Sequence, residues 1–189
     1  MLRNIHDALA KLDQSMTQSG DLSAITFHRG VEREALRVSR QDGKISQLPH
    51  PTALGSPLTH SSITTDYSEA LMEFITGVHD SVEGVISELR DIHLMTNRVL
   101  DQQDECLWPG SMPCALSSND EVPIAYYGES NSGKLKRVYR EGLSNRYGRI
   151  MQCIAGMHYN FSFSDSFWTF LADYRGVDIS TEEALKEFK

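Results

Sequence analysis

Glu32 and Glu34 stand one residue apart in the strand-like stretch Ile25-Thr-Phe-His-Arg-Gly-Val-Glu-Arg-Glu-Ala-Leu-Arg-Val38, so both carboxylates project from one face. Two anions that close repel unless a cation lies between them or water screens them. Taken alone, an ExE pair is common on solvent-facing strand edges. Three further groups argue for more. Glu73 interrupts the apolar run of Leu71, Met72, Phe74 and Ile75, where a lone acid is costly to bury unless paired or metal-bound. Asp66 lies in the same segment, and His158 shares a polar strand face with Asn160 and Ser162, which suits a wet cavity. Hard oxygen ligands with one imidazole fit Mg²⁺ or Mn²⁺ better than zinc. Because Mg²⁺ is held by few carboxylates together with phosphates, the set points to phosphoryl chemistry on a nucleotide. Neither a GxxxxGK-type phosphate loop nor a GxGxxG turn occurs, so metal ions would supply most of the phosphate grip.

These groups need a scaffold. The stretch 25–38 reads as a strand, in which Gly30 marks a bulge or a close backbone approach. Ile5, Ala8, Leu9 and Leu12 share one face of a short N-terminal helix, and residues 39–62 read as hairpin and loop. Asp80 with Glu83 forms a capping box opening a helix that carries Val82, Val85, Ile86, Leu89, Ile92, Val99 and Leu100 inward. Trp108-Pro-Gly110 and Met112-Pro113 make a rigid connection. A helix over about 134–150 places Leu135, Val138, Tyr139, Leu143 and Tyr147 inward. Its Lys134, Lys136, Arg137, Arg140, Arg146 and Arg149 form either a solvated basic face or a set from which one or two arginines reach a phosphate or carboxylate. From Met157, period two sends Met157, Tyr159, Phe161 and Phe163 to a core and His158, Asn160, Ser162 and Ser164 to a polar face. A Ser180/Glu183 capping box opens a last helix, at which the chain stops in mid-element.

Composition narrows the class. A 40% hydrophobic and 23% charged chain of 189 residues suits one soluble globular domain. A formal charge of −8 argues against general nucleic-acid binding and suits a carboxylate-rich cation site. No apolar run approaches the roughly 20 residues of a membrane span, and Met1-Leu-Arg-Asn-Ile-His-Asp7 lacks the apolar core of a secretory signal. Cys106, Cys114 and Cys153 show neither CxxC nor zinc spacing and read as reduced thiols of a cytoplasmic protein.

The residues also carry a family resemblance. Arg29-Gly-Val-Glu-Arg-Glu-Ala-Leu-Arg-Val38, Ala53-Leu-Gly-Ser-Pro-Leu-Thr-His60 and Ile63-Thr-Thr-Asp-Tyr-Ser-Glu-Ala-Leu-Met-Glu-Phe-Ile-Thr76 resemble motifs of the gamma-proteobacterial glutamate–cysteine ligases. So do Leu107-Trp-Pro-Gly-Ser-Met-Pro-Cys114, Tyr139-Arg-Glu-Gly-Leu-Ser-Asn-Arg-Tyr-Gly148 and Gly156-Met-His-Tyr-Asn-Phe-Ser162, in the family's order from about 25 to 170. The resemblance implies an α+β, glutamine-synthetase-like carboxylate–amine ligase core: a curved, largely antiparallel sheet with outer helices, here incomplete. It implies ATP-dependent joining of the γ-carboxylate of L-glutamate to the amine of L-cysteine through an acyl phosphate, the first step of glutathione synthesis, with Mg²⁺ or Mn²⁺. It assigns Glu32, Glu34, Asp66, Glu73 and His158 to the metal site. Tyr139 and Arg140 match positions of the amino-acid pocket, and Tyr67, Ile154 and Met157 border the cysteine side chain. Tyr67 stands where relatives often have Phe, and Met157 where Val is usual; both keep an apolar wall.

Family chains are much longer, so residues 1–189 read as the N-terminal portion of a single catalytic domain, inactive alone and without its C-terminal part. Two other readings stay open. One is a non-catalytic metal- or glutamate-binding module. The other is a metal-dependent hydrolase, weakened by the absence of an evident water-activating base outside the ligand set. The expected partners are therefore small molecules, with no nucleic acid and no membrane.

Overall fold

The computed structural model describes residues 26–188. Arg29–Asn160 forms one compact unit, and the remaining described residues, 26–28 and 161–188, belong to a second. Among the described residues, no helix is long and apolar enough to cross a membrane.

The larger unit is organised on β1 (Phe27–Ser39), which pairs antiparallel with β3 (Leu71–Ile75). Outside β3 lies β2 (Ile63–Thr65), also antiparallel. On its other edge β1 takes β4 (Glu105–Leu107) beside residues 37–39, and it also pairs with β5 (Met157–Phe163). The five-stranded, mixed α/β arrangement with antiparallel pairing agrees with the expected fold class. Gly30 marks a close backbone approach, as its position in the strand suggested: a Cβ there would stand 3.1 Å from the carbonyl oxygen of Gly77.

Period-two alternation divides the residues of β1 and β3 between two layers. Ala35, Met72, Phe74 and Ile63 point to one side and cluster with Leu54 and Ile92. They pack under α1 (Val82–Asp101), whose buried stripe is Val85, Ile92, Thr96 and Leu100. Val82 and Ile86, expected inward, fall outside this stripe and are exposed. On the other side, Leu36, Val38 and Leu71 cluster with Ile45, Tyr67, Val122 and Cys153. Burying each large side chain contributes about 1.5–3 kcal/mol.

Helix starts shift by one residue from expectation. Ser81, not Asp80, caps α1 by accepting from the Gly84 amide. Likewise Thr181, not Ser180, accepts from the Ala184 amide before α4 (Glu182–Phe188). Adjacent residues that can all cap are not ranked by local propensity. The short helix expected over 5–12 lies outside the described residues.

Two other expectations are overturned. Helix α2 (Asn131–Tyr147) begins at a Ser130 cap and buries Gly133 and Arg140. Leu135, Val138, Tyr139 and Tyr147 are exposed, and of the expected inward set only Leu143 packs on a core cluster. In β5, Met157, Tyr159, Phe161 and Phe163 are exposed, like every residue of the strand. Periodicity marks an apolar face without saying that anything covers it. In the smaller unit, Phe27 stacks on Phe161 and Phe163 on Phe167, leading into α3 (Asp165–Arg175).

The β1–β4 junction is fastened by a buried ion pair. Arg37 and Glu105 are 0% and 3% exposed at their side chains and meet at 2.8 Å. Arg37 also donates to the carbonyls of Leu48 and Glu69, and the Glu69 carboxylate receives the His50 and Tyr126 amides. Burial, Arg37 and then His60 hold the His50 imidazole down at about 4, so it stays neutral. Removing one partner of such a pair strands a buried charge. Arg37→Ala is therefore expected to cost about 3–5 kcal/mol in urea unfolding; a loss below about 1 kcal/mol, the range of exposed pairs, would contradict this role.

Candidate functional site

The register of three strands builds the site. Glu34 lies directly opposite Glu73 across β1 and β3, and Thr64 of β2 lies opposite Glu73 in turn. Directly opposed residues share a face, and so does Glu32, two residues before Glu34. Beside them β5 contributes His158 and Asn160. His158 Nδ1 lies 3.1 Å from Glu32 Oε2, and Asn160 Nδ2 donates to Glu32 Oε1 at 3.0 Å. Glu34 is bound twice to Gly156: its amide donates to the Gly156 carbonyl at 3.0 Å, and the Gly156 amide donates to Glu34 Oε2 at 2.6 Å. Four of the expected metal-site residues therefore stand together on one ledge.

Asp66 joins them through charge and through its backbone. It ranks first among the anions that raise Glu73, and its carbonyl accepts from Arg140 Nε at 2.6 Å. The other expected residues are spread out. Tyr67 is buried, and its hydroxyl lacks a well-formed hydrogen bond, although the Ser144 hydroxyl lies nearby. Tyr139, next to buried Arg140, is 64% exposed, because neighbours on a helix diverge by about 100°. Met157 points to the opposite face of β5 from His158, and both it and Ile154 are exposed.

The basic residues of α2, and Arg149 just beyond it, are mostly satisfied locally. Arg137 pairs with Glu141 and Lys134 with Glu129, Arg146 lies over Tyr147, and Arg149 binds Ser144 and the Val122 carbonyl. Arg140 is the one drawn inward. Cavities of about 960 Å³ beside residues 39–48 and 103–121 and about 400 Å³ beside Arg137 and Arg149 lie elsewhere. The acidic ledge lines neither of them.

Electrostatics report the crowding. Burial first, then Asp66, Glu34 and Glu32, push the Glu73 carboxyl above its ordinary value. Hydrogen bonding to Glu32 raises His158. Among the described residues the Glu73 carboxylate accepts no hydrogen bond, and its oxygens remain available. No three His, Cys, Asp or Glu side chains among the described residues converge enough to hold a metal ion. A hard cation at this ledge would have to share its coordination with oxygens other than these.

Sequence reasoning placed Asn160 on the His158 face without assigning it to the site; its spacing from His158 was the available signal. Gly156 acts through its backbone, and Tyr127, beneath Arg140, comes from a segment with no periodic signal.

Glu73 also gives a pH dependence. Its folded-state pKa is raised, so it contributes stability that is present below the ordinary carboxylate value and lost as pH rises through the folded-state value. Glu73→Gln is expected to raise Tm at pH 7–8, with the gain vanishing near pH 4. An equal gain at both pH values in thermal melts would refute the anionic crowding.

The family model for glutamate–cysteine ligase matches residues 12–188. The glutamate–cysteine ligase of Bordetella petrii is 54% identical over 167 residues, 88% of this chain and 31% of its own. That of Saccharophagus degradans is 52% identical over 162 residues, 85% of this chain and 30% of its own. Among solved structures, the Francisella tularensis glutamate–cysteine ligase in complex with AMP superposes with a TM-score of 0.72 at 44% identity, covering 82% of this chain and 31% of that one. A bifunctional glutathione synthetase from Pasteurella multocida gives a TM-score of 0.70 at 31% identity, over 84% of this chain and 20% of that one. The chain spans about a third of the length of the curated relatives it matches.

Proposed function

Because this chain belongs to the glutamate–cysteine ligase family, we propose that it forms the acidic wall of an ATP-dependent ligase site that joins L-glutamate to L-cysteine. The observation that carries this reading is the Glu34–Glu73 opposition, flanked by Glu32 with His158 and Asn160. In the proposed reaction an oxygen of the glutamate γ-carboxylate attacks the γ-phosphorus of ATP, and ADP leaves. The cysteine amine then attacks the acyl carbon of the acyl phosphate, loses its proton, and phosphate departs.

Glu34 and Glu73 would hold Mg²⁺ or Mn²⁺, which would supply neutralisation of the charge on the transferring phosphoryl group. The remaining roles belong to the chain. His158 and Asn160 hold the Glu32 carboxylate in one orientation, and the Gly156 amide does the same for Glu34. Asp66 sets the anionic field that favours a cation at Glu73. Arg140 supplies a guanidinium suited to a substrate carboxylate. Tyr67, Tyr139, Ile154 and Met157 would line the amino-acid pocket. Their exposed members would be covered by the further two-thirds of a family-length polypeptide, docking on α2 and β5, in the cytoplasm where ATP and reduced thiols meet.

The test is a coupled ADP-release assay with γ-glutamylcysteine detection on this chain joined to the remaining segment of the Bordetella petrii relative. Turnover requiring both amino acids is expected, and Glu34→Gln and Glu73→Gln should each lower kcat by about 100-fold or more. Full activity in both variants would sink the assignment. Metal-dependent phosphatase or peptidase activity without ligation would favour a hydrolase.

A further inference from the structure

Tyr127 lies just before α2 and is 5% exposed. Its hydroxyl donates to the carbonyls of Thr65 and Asp66. The Arg140 guanidinium lies 4.7 Å from the centre of its ring, and the Lys136 ammonium 5.0 Å. The Asp66 carbonyl thus receives both the Tyr127 hydroxyl and Arg140 Nε, while a second Arg140 nitrogen donates to the Lys136 carbonyl. The start of α2 is pressed onto the same residue: a Cβ on Gly133 would stand 2.6 Å from the Tyr127 carbonyl oxygen. Arg140 is therefore held by a ring, a carbonyl and its own helix at once, and the ring is held by the strand end that carries Asp66.

We propose that Tyr127 is a positioning residue, locking the Arg140 guanidinium and the Asp66 backbone into one unit through its π face and its hydroxyl. The positioning stands on these contacts alone; its consequence for glutamate rests on the reading of Arg140 as a substrate-pocket residue. A cation over a ring is held by the ring's quadrupole, which fluorination weakens without changing its shape. A residue that merely filled space would not respond to that change.

The test follows hydrogen exchange of the Arg140 Nε–H by NMR in the 189-residue chain, with the resonance assigned by its loss in Arg140→Lys. Position 127 is replaced in turn by phenylalanine and by its mono- and trifluorinated forms, with Tm as the folding control. Exchange is expected to accelerate with each step of fluorination, reaching about threefold, at unchanged Tm. A flat series in folded protein overturns the proposal. Calorimetric titration with L-glutamate separates the two readings. Affinity falling in step with the exchange rate supports positioning for substrate. Graded exchange with glutamate binding indifferent to Arg140→Ala leaves the positioning intact and refutes the pocket assignment.

Discussion

Glu34 is the residue on which the rest of the site depends. Its backbone belongs to β1, its carboxylate is tied to the Gly156 amide, and its strand register sets it opposite Glu73. A hydrogen bond to a charged acceptor contributes about 1.5–3 kcal/mol, and here it also aligns the segment that leads into β5. Once Gly156 is fixed, His158 and Asn160 follow at period two and meet Glu32. A one-residue slip of β3 against β1 would turn Glu73 away from Glu34 to the layer beneath α1. That layer holds Ala35, Met72 and Phe74, an apolar cluster that an added carboxylate would disrupt, so the slip is disfavoured.

The ledge works against folding. Its carboxylates crowd one another, and Glu73 responds with a raised pKa and no compensating hydrogen bond among the described residues. The neighbouring strand β1 carries Arg37, whose guanidinium pairs with Glu105 and donates to two carbonyls, while its buried Nε finds no partner among the described residues. Two paired strands therefore differ: β1 bears a buried charge with a counter-ion, and β3 bears a partly buried one without. Structural needs explain the first. Anionic crowding at the second is what the proposed cation site would relieve.

Much of this was legible in the sequence because it depends on short-range periodicity. The ExE pair, the interrupting Glu73 and the His158 face all follow from strand alternation. The buried faces were less legible. Met157 and Tyr159 in β5, and Leu135 and Val138 in α2, repeat at the right spacing yet remain exposed. Spacing defines a face; only tertiary contact defines a core. The Arg37–Glu105 pair and the Tyr127–Arg140 contact join segments far apart in sequence, and no local pattern announces either one. The caps of α1 and α4 were displaced by one residue because neighbouring side chains were equally able to serve.

The central claim is that strand register gathers separated carboxylates into a receptor for a divalent cation. The most direct measurement is a titration with Mn²⁺ followed by paramagnetic broadening of backbone amides. The account predicts that Glu32, Glu34, Glu73, Gly156 and His158 broaden first and together, and that excess Mg²⁺ restores them. Broadening centred on the cavity beside Asp42, Asp104 and Asp120, with the ledge untouched, would contradict it.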